Sequence, residues 1–156
     1  MGLTPPDFKK VFYVGGSDIS GIYLIRLGPV KDLRKTFSIP ETVSNDLIVY
    51  KYGRSKNIAV RFWQHVKTYG SLGIEDIELV YYCPIDASLT SEAEADLKKY
   101  LIQTNKKFDH PKHSELALMQ ENDKDTKKMF RQLYTIHISS NIKLIDMISI
   151  PVLLLT

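Results

Sequence analysis

A chain of 156 residues that is 44% hydrophobic and 25% charged has enough apolar material for one packed core and the balance of an ordinary folded globular protein. Its one cysteine, Cys83, excludes an internal disulfide and makes a reducing intracellular compartment, cytoplasm or nucleus, the expectation. The net charge of +3 permits a nucleic-acid partner without requiring one, and no segment reads as a membrane span, since Lys143, Asp146 and Pro151 interrupt the apolar C-terminal IKLIDMISIPVLLLT.

In chain order, residues 1–20 open with TPP and read as an irregular arm with a short strand over 11–14. Residues 22–27 are strand-like. Residues 28–46, with glycine, two prolines and an internal KDLRKTF, are long for a hairpin loop and read as an insertion carrying a helical turn. Residues 47–52 form a second strand, ended by Gly53. Asn57 is a good cap for a helix whose apolar arc holds Ile58, Ala59, Phe62, Trp63 and Val66, with Arg61 and His65 stacked four apart along its edge. A third strand is expected over 77–82. A second helix follows over 91–103, inward through Ala93, Leu97, Tyr100 and Leu101. A strand over 116–119 and a third helix over 122–134, inward through Met129, Phe130 and Leu133, complete the order. The expectation is an α+β fold, a small antiparallel sheet flanked by helices, in one domain over 1–156. Residues after about 106 read as a C-terminal extension. The tail at 142–155 reads as core or as a contact for homo-oligomers.

Charge is segregated. Lys51, Arg54, Lys56, Arg61 and Lys67 lie in a stretch with no carboxylate, and the stretch from Thr68 to Asp96 has carboxylates but no lysine or arginine. A phosphate site facing a metal-binding carboxylate and two solvated faces of opposite sign both fit that pattern.

No P-loop, HExxH, CxxC or GxSxG motif is present. His110 and His113 in DHPKH read as a surface turn rather than metal ligands, because Pro111 and the loop composition favour a turn. The Arg61 guanidinium offers a planar fork for phosphate oxygens, and His65 can exchange protons near neutral pH; the same pair also occurs on plain helix edges. Glu94 closes an S-x-x-E capping box with Ser91, a structural role. It also projects to the inward edge of its helix beside Leu101, where a carboxylate can serve a metal, whereas Glu92 faces outward.

Tyr23 in GIYLI, Gly53 in YKYGRS, Arg61, His65 four residues on, and Glu94 on a later helix stand in the order and approximate spacing of the GIY-YIG nuclease superfamily. The chain resembles that superfamily over roughly residues 21–105, and looks closest to the branch found in large DNA viruses and mobile elements. Two features depart from the pattern. Lys51 stands where the family has the second tyrosine, as in some restriction-enzyme members, and residues 28–46 separate signature halves that normally lie close together.

The resemblance implies hydrolysis of DNA phosphodiesters with one divalent cation, Mg²⁺ or Mn²⁺, held by Glu94. It assigns Arg61 to charge on the non-bridging oxygens and Tyr23 to positioning or deprotonating the attacking water. Lys51 would supply positive charge to Tyr23, and His65 would relay protons. The choice between Tyr23 and His65 as base stays open. Arg54, Lys56, Lys67 and Asn105 are the expected DNA contacts, Asn105 by its match to a family asparagine. Two alternatives remain: a DNA-binding module of the same fold without turnover, with Lys51 as the mark of decay, and a protein-interaction domain using the apolar tail.

Overall fold

The computed structural model describes residues 2–11 and 19–137. Through them run α1 (Pro5–Val11), β1 (Gly21–Pro29), α2 (Val30–Leu33), β2 (Ile48–Ser55), α3 (Ile58–Gly70), β3 (Glu78–Pro84), a 3-10 turn (Ala87–Leu89), α4 (Thr90–Gln103), β4 (Lys107–Phe108), β5 (Leu116–Met119) and α5 (Lys124–His137). The five strands make one antiparallel sheet in the order β3-β1-β2-β5-β4. The fold is thus α+β with helices on a small antiparallel sheet, as expected. The strand expected over 11–14 falls outside the described residues, apart from Val11, which ends α1; the apolar tail at 142–155 falls outside them entirely.

Side chains alternate across the sheet with the period of two that strands impose. Tyr23, Ile25, Leu27, Val49 and Leu116 pack with Phe8 of α1, Val30 and Leu33 of α2, and Ile58 and Phe62 of α3. Ile22, Leu24, Tyr50, Tyr52 and Ala117 face the other way, onto Ala93, Leu97 and Leu101 of α4 and Phe130 and Leu133 of α5. His137 Nε2 joins α5 to Asp96 Oδ2 of α4 at 3.0 Å.

The segment between β1 and β2 is built into the core rather than hung outside it. Phe37 and Ile39 are buried, and the Arg34 guanidinium donates to Pro40 O, Val43 O and Asn45 Oδ1. Residues after Lys106 also enter the sheet, as β4 and β5.

The feature that positions the site is an unequal strand length. The β5 ladder on β2 ends at Lys51 opposite Leu116, and one more bond runs from Tyr52 N–H to Glu115 O at 3.0 Å. Beyond Tyr52, β2 continues to Ser55 with β1 alone as its neighbour among the described strands. That bare edge is where α3, α4 and the turn before β5 meet.

Candidate active site

Tyr23 and Gly53 are directly paired across β1 and β2. A methyl group at residue 53 would lie 2.6 Å from the Tyr23 hydroxyl and 3.1 Å from Glu115 Oε2. Glycine is therefore required here by close approach: the missing side chain is the space into which the phenol and a carboxylate both reach.

Asn57 caps α3, its Oδ1 accepting from Val60 N–H at 3.1 Å, an interaction on the scale of about 1 kcal/mol. The cap fixes the helix phase and so decides which residues turn inward. The buried stripe is Ile58, Ala59, Phe62, His65 and Tyr69. His65 thus lies within the buried face rather than at its edge, while Trp63 and Val66 are only half-buried and Arg61 is exposed. The inward His65 places its Nε2 2.7 Å from the Tyr23 hydroxyl.

The electrostatics of this pair follow from burial. Desolvation holds the Tyr23 phenol well above its usual range; the Arg61 charge opposes that shift without cancelling it, and Glu115 and Glu94 add to it. Burial, with Lys51 and Arg61 nearby, pushes His65 down to about 3. Both partners are therefore neutral near pH 7 and share one short hydrogen bond. Among the charges acting on the phenol, the main cation is Arg61. Lys51 is itself buried, which lowers its affinity for a proton. Its Nζ donates to Ser114 O at 2.9 Å and lies 4.0 Å from Glu115 Oε1.

Glu94 sits on α4 as its phase predicts: its side chain is 25% exposed, while Glu92 is exposed. The capping box with Ser91 does not form. The helix starts one residue earlier, at Thr90, and its N-cap is Leu89, which makes no side-chain cap bond. Freed from capping, the Glu94 carboxylate faces the β2 edge. It accepts from the Arg54 backbone N–H and lies 3.5 Å from Arg54 Nε. Its second neighbour is the carboxyl group of Glu115, within hydrogen-bonding reach; burial and this like charge raise the Glu94 pKa.

Glu115 was not among the residues singled out from the sequence. It has no motif around it, and its proximity depends on where β5 stops. Its one local signal is structural: a φ of 61°, uncommon for a residue with a side chain and frequent at functional sites. Among the described residues, no group of three or more His, Cys, Asp or Glu is arranged to hold a metal ion.

Arg54, Lys56, Asn57, Arg61 and Gln64 line an open cavity of about 530 Å³ at the start of α3, and Lys67 is exposed further along that helix. A second cavity of about 530 Å³, on the Glu94 side, is lined by Tyr52, Glu94, Lys98, Lys107, His110 and Glu115 among others. Asn105 lines neither cavity. With a φ of 59° it terminates α4: its N–H bonds Ile102 O, and the next N–H, of Lys106, bonds Leu101 O. That is the left-handed helix stop that asparagine favours.

No family model matches the chain, and no solved structure matches it. The chain is similar to three proteins of Acanthamoeba polyphaga mimivirus: 36% identical over 132 residues to uncharacterized protein L5, 35% over 125 residues to uncharacterized protein L12, and 38% over 103 residues to uncharacterized protein R865. These matches cover 85%, 80% and 66% of this chain but only 29%, 26% and 18% of the relatives. The chain thus spans less than a third of the length of the curated relatives it matches.

Proposed function

We propose that the chain is a divalent-metal-dependent endonuclease that hydrolyses DNA phosphodiesters through a GIY-YIG-type site of Tyr23, Lys51, Arg61, His65 and Glu94. The observation that carries this reading is the 2.7 Å Tyr23–His65 bond seated over Gly53, with the charges of Arg61 and Glu94 both acting on the phenol. Those five positions are the ones on which the family resemblance rests, apart from Lys51, and they come from four separate elements.

The part-buried Glu94 carboxylate at the β2 edge fits a hard cation that keeps most of its waters. When bound, such a cation supplies Lewis-acid stabilisation to a phosphoryl and a leaving oxygen. The protein's own groups do the rest. The exposed Arg61 fork meets non-bridging oxygens at the mouth of the α3 cavity, where charge builds in the transition state. The neutral Tyr23 hydroxyl passes its proton to His65 Nε2 while its oxygen takes one from the attacking water. No phenolate is needed, which suits a phenol whose burial disfavours ionisation. His65 is a weak base in the free protein chiefly because it is buried, and further because Lys51 and Arg61 face it. A bound phosphate would offset the Arg61 part of that shift, the smallest of the three, and leave the effects of burial and Lys51 in place.

Arg54, Lys56 and Lys67 extend the cationic face along which a DNA backbone would lie. The test is cleavage of plasmid and branched DNA by the purified chain with Mg²⁺ or Mn²⁺, against chelator and against Arg61→Ala. Metal-dependent cutting lost in the variant supports the enzyme. DNA binding without cutting by the unaltered chain assigns it instead as a binding module.

A further inference from the structure

The reading above gives the cation to Glu94 alone. We propose that Glu115 is a second ligand, so that Glu94 and Glu115 together form a two-carboxylate site for a hard divalent cation, with the Tyr52 hydroxyl as hydrogen-bond partner to its waters. The inference rests on that reading's choice of Glu94 but is decided by binding rather than turnover.

Three independent observations meet at this point. The carboxyl groups come from different elements, α4 and the turn before β5, yet approach within hydrogen-bonding reach. Two facing carboxylates repel when both are ionised, and a divalent cation between them removes that cost. Next, the side chain of Tyr52, fully buried, lines the same cavity as both carboxylates. Its hydroxyl exposes almost no surface and has no hydrogen-bond partner among the described residues. A buried hydroxyl left unpaired costs free energy, and the charges acting on this one are those of Glu115, then Glu94 and Asp109. Finally, Glu115 holds a left-handed backbone, φ 61°, pinned by the Tyr52 N–H bond to its carbonyl. That turn carries its side chain to the bare β2 edge.

Glu115 also neighbours the buried Lys51, and a plain counter-ion role would account for its charge. The contact is loose, 4.0 Å to Oε1, and Lys51 already has a close partner in Ser114 O at 2.9 Å. Oε2 lies on the other side, 3.1 Å from where a Gly53 methyl would sit. The counter-ion role leaves that oxygen, Glu94 and the Tyr52 hydroxyl unexplained. With two protein carboxylates, the cation would be Mg²⁺-like, mostly hydrated, rather than a fully ligated Ca²⁺ or Zn²⁺.

The test is Mn²⁺ binding to the full chain, followed by electron paramagnetic resonance of free Mn²⁺, for the unaltered protein and for Glu115→Gln, Glu94→Gln and Glu92→Gln. Glu115→Gln and Glu94→Gln should each weaken binding by about tenfold or more, and Glu92→Gln by less than about twofold. Glu115→Gln binding within about twofold of the unaltered protein overturns the proposal. Mn²⁺ held by both carboxylates without DNA cleavage leaves this inference standing and removes the nuclease; cleavage with binding indifferent to Glu115→Gln does the reverse.

Discussion

The Tyr23 hydroxyl and His65 Nε2 lie 2.7 Å apart inside the protein, and the histidine that makes this bond is held neutral, its pKa pushed down to about 3 by burial and by Lys51 and Arg61. The sign of the resulting pH dependence is fixed. Above about pH 6.5, folded and unfolded chains both carry neutral His65. Below it, the unfolded chain takes up a proton that the folded chain refuses until near pH 3. Stability should therefore fall as pH drops through that window, by up to about 1.4 kcal/mol per pH unit from this residue. Urea midpoints of the unaltered protein and His65→Gln at several pH values check it. The unaltered protein should lose ground to the variant as pH falls from about 7 to 5. A constant gap would show that His65 titrates normally.

Gly53→Ala should damage the site more than its size suggests. Its methyl group would stand 2.6 Å from the Tyr23 hydroxyl, closer than any contact allows, and residues 23 and 53 are paired directly across β1 and β2. The phenol must leave His65. A stability loss of about 1–3 kcal/mol is expected from overpacking, with DNA cleavage reduced by about 100-fold, the scale of a displaced catalytic group. Melting temperature and single-turnover rate measure the two effects separately.

The sequence carried the strands and helices because each has a local signal. Short apolar runs mark β1, β2 and β5. Asn57 marks the start of α3, and apolar spacing gives α4 and α5. It did not carry α1, whose first turn holds two prolines, or the two-residue β4, too short to show a period. His65 was placed at a helix edge because a polar residue counts against burial in a periodicity argument; only its partner Tyr23, on a strand distant in sequence, explains why it turns inward. Ser91 and Glu94 match a capping box by spacing, but the chain enters α4 from a 3-10 turn held by Asp86, whose Oδ1 accepts from Ser88 N–H at 3.0 Å. That earlier entry displaces the cap. Glu115 had no signal because its place depends on the length mismatch between β2 and β5.

DNA binding should be largely electrostatic. Arg54, Lys56, Arg61 and Lys67 are all exposed along one edge of β2 and α3. Log affinity should fall linearly with log salt, with a slope of about −0.9 per phosphate neutralised. Anisotropy titrations between about 50 and 200 mM salt measure it. An affinity that does not change over that range would rule out a phosphate-tracking surface.

Arg61→Lys should be nearly as damaging to turnover as Arg61→Ala. Lysine keeps the charge but loses the planar fork, and two-point contact with phosphate oxygens needs the fork. Binding should weaken much less than cleavage if the fork acts mainly in the transition state. A lysine variant with a normal single-turnover rate would reduce Arg61 to a point charge.

Glu94→Gln should abolish cleavage while leaving the fold intact. The substitution keeps the side chain's size and removes the charge that holds a hard cation. No cap is lost, since Leu89 rather than Ser91 occupies the N-cap and no side chain caps α4. What is lost is the ion pair with Arg54, whose side chain is 50% exposed and whose contribution is screened by water to less than about 1 kcal/mol. What is gained is relief from the like charge of Glu115 in a half-buried setting. The two changes oppose each other, so the variant should melt at or slightly above the unaltered protein in the absence of divalent cations. Glu92, exposed one residue before Ala93, provides the control: Glu92→Gln should leave the cleavage rate within a few-fold. Cleavage rate against Mg²⁺ concentration and metal-free melting temperature, measured for both variants, decide the matter. A Glu94→Gln protein that cuts normally would remove the metal site from Glu94. One that neither cuts nor folds would make Glu94 a structural residue.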